Sequence, residues 1–208
     1  MSIINFPAFM VASFVFIISP GIDTMFILNK SITQGRKSGI YATLGISTGV
    51  LVHTTLAAFG LSLILAQSAM AFSIIKYLGA AYLIYMGISK LFTKQNLLAS
   101  SEPDEPSSAK NTFISAVFTN TLNPKVAIFF LAFFPQFIHP AYIHSAIPFI
   151  FLGITYAFIG LLWFMVLTFF AGSLSVKLKL NPEMGNWLNK FSAVTFILMG
   201  VKIAFTKR

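Results

Sequence analysis

Residues 3–28 read IINFPAFMVASFVFIISPGIDTMFIL, and this stretch decides the fold. It is long enough to cross a bilayer, which takes about 20 apolar residues. In its middle, Ser19-Pro20-Gly21-Ile22-Asp23 places a helix breaker beside a carboxylate. Proline lacks the N–H that a helix interior needs, and glycine permits an unwound connection. Charge inside hydrocarbon is expensive, so Asp23 is a functional-site candidate by default. Unwound backbone at that depth is tolerated only where protein or a water-filled cavity satisfies it. A second break, Leu122-Asn123-Pro124-Lys125, repeats the arrangement with a basic residue. Two such breaks in corresponding halves of a chain point to a transporter's binding site.

Composition agrees with a membrane location. Of 208 residues, 57% are hydrophobic and 9% charged, whereas a soluble domain carries roughly 25% charged residues. The fold class that follows is an all-α integral membrane protein. A net charge of +9 would suggest nucleic acid in a soluble protein. Here the basic residues sit mostly in short loops between apolar segments, which reads as a topology signal and not a nucleic-acid surface. The absence of cysteine excludes disulfides, thiolate metal sites and thiol relays. The first segment lacks a basic stretch before its apolar run and a small-residue cleavage site after it, so it is expected to remain as a membrane helix. No phosphate-loop pattern occurs, so neither ATP-driven transport by this chain alone nor any cofactor is expected.

Six spans emerge from apolar length, at about Ile3–Leu28, Gly39–Leu65, Ala69–Phe92, Thr112–Ile138, Ala146–Gly172 and Trp187–Phe205. The first and fourth contain the breaks. Between the third and fourth lies an extended polar stretch with Glu102, Asp104 and Glu105, read as a flexible cytoplasmic linker. Residues 1–93 then form one three-helix half, 94–111 the linker and 112–208 the second half. Met86-Gly87-Ile88 with Phe92-Thr93-Lys94 recurs as Met199-Gly200-Val201 with Phe205-Thr206-Lys207. A repeat of three crossings must be inverted in the membrane, so two inverted three-helix repeats are expected. Lys30, Arg36, Lys37, Lys90, Lys94, Lys110, Lys177, Lys179 and Lys190 flank the first, third and fifth loops, which places those loops inside and both termini outside. Lys207 and Arg208 at the C-terminus oppose that assignment.

The constellations have competing readings. Asp23 can cap the half-helix that follows it, or hold a substrate ammonium or a coupling proton. Lys125 can snorkel to an interface or serve as counter-charge to Asp23 and to a substrate carboxylate. Gly45, Gly49 and His53 share one helix face, and the small residues permit close packing that aims His53 inward. There His53 is either a packed side chain or, with Asp23, a proton carrier. His139 and His144 lack a third ligand, so no metal site is expected.

In order along the chain, Pro20-Gly21-Ile22-Asp23, Gly35-Arg36-Lys37-Ser38-Gly39, Gly45-x-x-x-Gly49, the run Lys76–Gly87, Asn123-Pro124-Lys125, Phe133-Phe134-Pro135-Gln136-Phe137 and Gly200-Val201-Lys202 resemble the lysine exporter and homoserine/threonine resistance (LysE/RhtB) translocators. The first motif resembles the family's P-G-P-D signature, with Ile22 where the signature often has proline. The resemblance implies a multi-pass exporter of amino acids or their derivatives in the bacterial inner membrane. It also implies drive by a proton or ion gradient, about six helices and homodimerisation. Its motif positions fall on Asp23 and on Asn123, Pro124 and Lys125.

Combining residues and resemblance, the expected substrate site comprises Pro20, Gly21, Asp23, Asn123, Pro124 and Lys125. Asp23 engages an ammonium, and backbone N–H groups near Gly21 and Asn123 engage a carboxylate. A metal-cation transporter would want several converging ligands, and an intramembrane enzyme a positioned nucleophile. Asp23 and His53 supply little of either.

Overall fold

The structure is a computed structural model that describes residues 2–63, 68–92, 107–180 and 182–205. Thr93, Lys94, the acidic linker residues Glu102, Asp104 and Glu105, and Thr206, Lys207 and Arg208 lie outside the described residues. Among those described, the fold is helical with one isolated β-bridge, between Ile3 and Ile138.

Helix α1, Phe6–Ile18, is uniformly apolar and ends where proline dictates. Ser19 precedes Pro20 and sits at φ −62°, ψ 114°, because the proline ring excludes the helical region for its predecessor. Helix α2, Ile22–Thr33, resumes at an angle of 54°. Helix α3 runs from Gly35 to Leu56 and continues through a π-turn at Ala57–Leu61. Helix α4 is Ala69–Phe92. The second break follows the same rule. Helix α5, Ala109–Thr121, stops before Asn123, which stands at φ −74°, ψ 109° ahead of Pro124. Helix α6, Pro124–Ile128, leads into a π-turn at Phe129–Phe133 and a 3₁₀ turn at Phe134–Phe137, the pair being bent by 46°. Helices α7, Ala146–Leu180, and α8, Pro182–Phe205, complete the chain. Both are longer than their apolar runs, which end at Gly172 and begin at Trp187. Likewise α5 starts at Ala109, inside the expected linker.

By length and apolarity the described residues hold four spans, or six if each bent pair is one crossing. The packing directions favour six. Along α3, Gly45 faces Phe113 and Ala116 while Gly49 faces Val117 and Asn120, so α3 and α5 run parallel. Thr43 bonds Thr168 at 3.1 Å while Gly153 faces Thr54, so α3 and α7 run antiparallel. A re-entrant second pair would have made α7 parallel to α3. At one end of the bundle, the backbone of Ile4 bonds Phe137 (2.8 Å). At the other end, Ser107 bonds Gln34 (2.8 Å). Each bent pair therefore travels from one end to the other.

The contact between α4 and α8 is reciprocal. Gly87 faces Ala193 and Ile197, and Gly200 faces Ala80 and Ile84. Every residue here meets the partner of its own counterpart at an offset of 113, the offset of the Met-Gly repeat. Small residues at such seams let backbones approach where lipid removes most of the hydrophobic drive. Phe9, Phe16, Phe129, Phe130, Phe133 and Phe134 fill the core. Val11, Phe59, Met70, Leu122, Phe158 and Phe205 are exposed and form part of an apolar exterior suited to lipid.

The seam between α3 and α5 gives a direct test. A Cβ on Gly49 would lie 2.7 Å from the Asn120 Cβ. Gly49→Ala is expected to cost about 1–3 kcal/mol by overpacking, read as a lower unfolding midpoint in detergent. Gly172→Ala, where the new carbon meets no other part of the protein within 4 Å beyond its own helix backbone, should not lower the midpoint.

Candidate functional site

Ending a helix inside an apolar bundle frees backbone carbonyls that need donors. At the end of α1, two lysines distant in sequence supply them. Lys125 Nζ donates to the Ser19 carbonyl at 2.6 Å, and Lys90 Nζ donates to the Pro20 carbonyl at 3.0 Å. The negative end of a helix dipole favours cations at this position. The Lys125 ammonium also lies over the rings of Phe16 (4.7 Å) and Phe196 (5.3 Å). Gly21 stands at φ −151°, ψ −167°, an extended conformation open to other residues. Its use is space: a Cβ there would lie 3.3 Å from Lys125 Cδ.

The second break is capped from within. Asn123 Oδ1 accepts the Lys125 backbone N–H at 3.0 Å, with Pro124 in the first helical position, where its missing N–H costs nothing.

Asp23 is buried in the first turn of α2. Its Oδ2 accepts from Asn120 Nδ2 at 2.8 Å, while its Oδ1 accepts no hydrogen bond within 3.5 Å from the described residues. The Asn120 backbone carbonyl in turn receives the Asn123 N–H at 2.9 Å and lies 3.1 Å from His53 Nε2. A carbonyl can only accept, so the His53 proton sits on Nε2. Asn120 is thus the link between the carboxylate and the imidazole, which share no direct bond. The expected contact of Asp23 with Lys125 is also replaced. No ion pair within 4 Å joins them, because the Lys125 ammonium is drawn to the end of α1 instead.

Two cavities meet here. One, of about 20 Å³, is bordered by Asp23, Ser47, Asn120, Asn123, Lys125 and Tyr156 among others, and has room for about one water. Four buried atoms on its lining residues lack protein partners: Asp23 Oδ1, Ser47 Oγ, Asn120 Oδ1 and Asn123 Nδ2. The second cavity, of about 220 Å³, is bordered by Gly21, Tyr85, Ser89, Lys90, Asn123 and Lys125, with Pro124 alongside. Gly21, Asn123 and Lys125 border both and partition them.

The structure therefore gathers Gly21, Asp23, Asn123, Pro124 and Lys125 around the two cavities, and Pro20 contributes its carbonyl. His53 stands one residue behind. Gly45 and Gly49 lie along the seam with α5, the helix that carries Asn120. Asn120 and Lys90 were not anticipated as site residues. Asn120 was visible as a second amide one turn before Asn123 in an apolar run. Lys90 was read only as loop charge. Among the described residues, no group of three or more His, Cys, Asp or Glu side chains is placed to hold a metal.

Apolar helices broken around a buried carboxylate and two cavities define a multi-pass membrane translocator. The chain belongs to the family described as LysE type translocator, whose match spans residues 14–207. It is 32% identical over 198 residues to an uncharacterized membrane protein, YrhP, of Bacillus subtilis, covering 89% of this chain and 91% of the relative. It is 32% identical over 200 residues to an uncharacterized membrane protein of Vibrio cholerae, covering 96% of each. A homoserine/homoserine lactone efflux protein of Salmonella typhimurium is 29% identical over 197 residues, covering 95% of this chain and 94% of the relative. No solved structure matches the chain.

The link through Asn120 is separable by a mutant cycle. Asn120→Ala is expected to destabilise the protein by about 1–3 kcal/mol, because it leaves a buried carboxylate without its donor. In an Asp23→Asn background the same change should cost less, giving a coupling of roughly 0.5–3 kcal/mol in detergent unfolding.

Proposed function

We propose that this chain is a secondary-active exporter of amino acids or amino-acid derivatives, acting across the bacterial inner membrane by alternating access. The observation that carries this reading is Asp23. It is the one carboxylate within the apolar spans, it is buried, and one of its oxygens accepts no hydrogen bond within 3.5 Å from the described residues. A substrate ammonium or a proton supplies what that oxygen lacks. The efflux protein of Salmonella typhimurium is named for homoserine and its lactone. Those two molecules share an α-ammonium but not a free carboxylate, so recognition common to both falls on the group that Asp23 suits.

Coupling follows from the same arrangement. Protonation of Asp23 competes with an ammonium for one site, and His53 reports through Asn120. Only a difference in affinity between inward-facing and outward-facing states drives such an exchange. The reciprocal packing of α4 on α8 supports two inverted halves, which can rock about that contact to open the site alternately.

Efflux of a panel of radiolabelled amino acids from vesicles under a proton gradient tests the proposal. At least one amino acid should leave faster than from protein-free vesicles, and Asp23→Asn should return that rate to background while the protein remains folded and inserted. Normal efflux by Asp23→Asn excludes the site.

A further inference from the structure

We propose that the larger cavity, between the first break and the end of α4, binds a free carboxylate on the transported amino acid through Lys125 and Lys90. The inference rests on the exporter reading and extends it to the substrate's second charge.

Lys125 is more than nine-tenths buried, and among the described residues no carboxylate forms an ion pair with it within 4 Å. Of its three N–H donors, the Ser19 carbonyl takes one, and the aromatic rings of Phe16 and Phe196 flank the ammonium. Ring faces attract a cation, but a buried charge is stabilised best by an opposite charge with hydrogen bonds. Donor capacity is therefore left over at a cavity wall.

Lys90, from α4, borders the same cavity. Its ammonium donates to the Pro20 carbonyl, one peptide from the carbonyl that Lys125 uses. Two lysines are thus anchored on successive carbonyls at the border of one cavity. A carboxylate has two oxygens and accepts from two such donors at once, with charge-assisted bonds. At about 220 Å³ the cavity far exceeds the roughly 10–15 Å³ that one water requires.

The partition completes the argument. Gly21, Asn123 and Lys125 border this cavity and also the smaller one at Asp23. A ligand whose carboxylate meets the lysines has Asp23 beyond the partition for its ammonium. Two cations and one carboxylate on adjoining walls match a zwitterion with a free carboxylate better than an ester, an amide or a lactone.

The test uses the full chain in proteoliposomes. Efflux is measured for the twenty L-amino acids and homoserine, each against its methyl ester, and for homoserine against its lactone. The exported amino acid should be preferred over its ester by about tenfold or more, the worth of one charge-assisted hydrogen bond. Lys90→Met should raise KM for the amino acid by about as much and affect the ester's KM less, with Lys90→Arg restoring the preference. Acid and ester exported equally by the wild type would overturn the carboxylate site while leaving the exporter reading intact. An equal loss of both in Lys90→Met would assign Lys90 a purely structural role and overturn it too. Export of no amino acid at all would fail the exporter reading, and this inference with it.

Discussion

A backbone carbonyl released inside an apolar bundle must find a donor, and the site is built around how this happens after Pro20. The proline has removed the helix's own continuation. The donors come from Lys90 and Lys125, one near the end of the third span and one just past the break in the fourth. The first break is therefore completed by side chains from elsewhere in the chain. Its geometry is fixed only once the spans have assembled.

That assembly is governed by close backbone approach. Gly45 and Gly49 let α5 press against α3, and α5 delivers Asn120 to Asp23. Gly87 and Gly200 do the same, reciprocally, between α4 and α8. Because α4 also carries Lys90, the seam that joins the third and sixth spans positions one of the two ammonium groups at the break. Packing and chemistry are linked here through single glycines, each set where a side chain would hold two backbones apart.

Much of this was legible along the chain. Apolar length marked the spans, and the pre-proline rule located both breaks to within a residue. The cost of burying charge singled out Asp23 and Lys125. Less legible was the partnership between them. Opposite charges suggested a pair, yet each is engaged elsewhere: one oxygen of Asp23 by Asn120 and one donor of Lys125 by the end of α1. Lys90 was hidden for a related reason. A lysine near a helix end reads as loop charge, and only the bend of α1 on α2 brings a carbonyl within its reach. The paired phenylalanines at 129–130 and 133–134 suit lipid and core equally by side-chain chemistry alone. They proved fully buried, because the π-turn and 3₁₀ turn after Pro124 redirect the chain.

The sequence by itself determined which stretches are apolar enough to cross a membrane, where its helices must stop and which charges fall within those stretches. These are local matters, set by apolar length and by proline's missing N–H. Only the tertiary structure decided what answers each charge and each freed carbonyl. Hydrogen bonds at 2.6–3.1 Å depend on the relative placement of whole helices, and that placement follows from seams between residues about 70 to 120 positions apart.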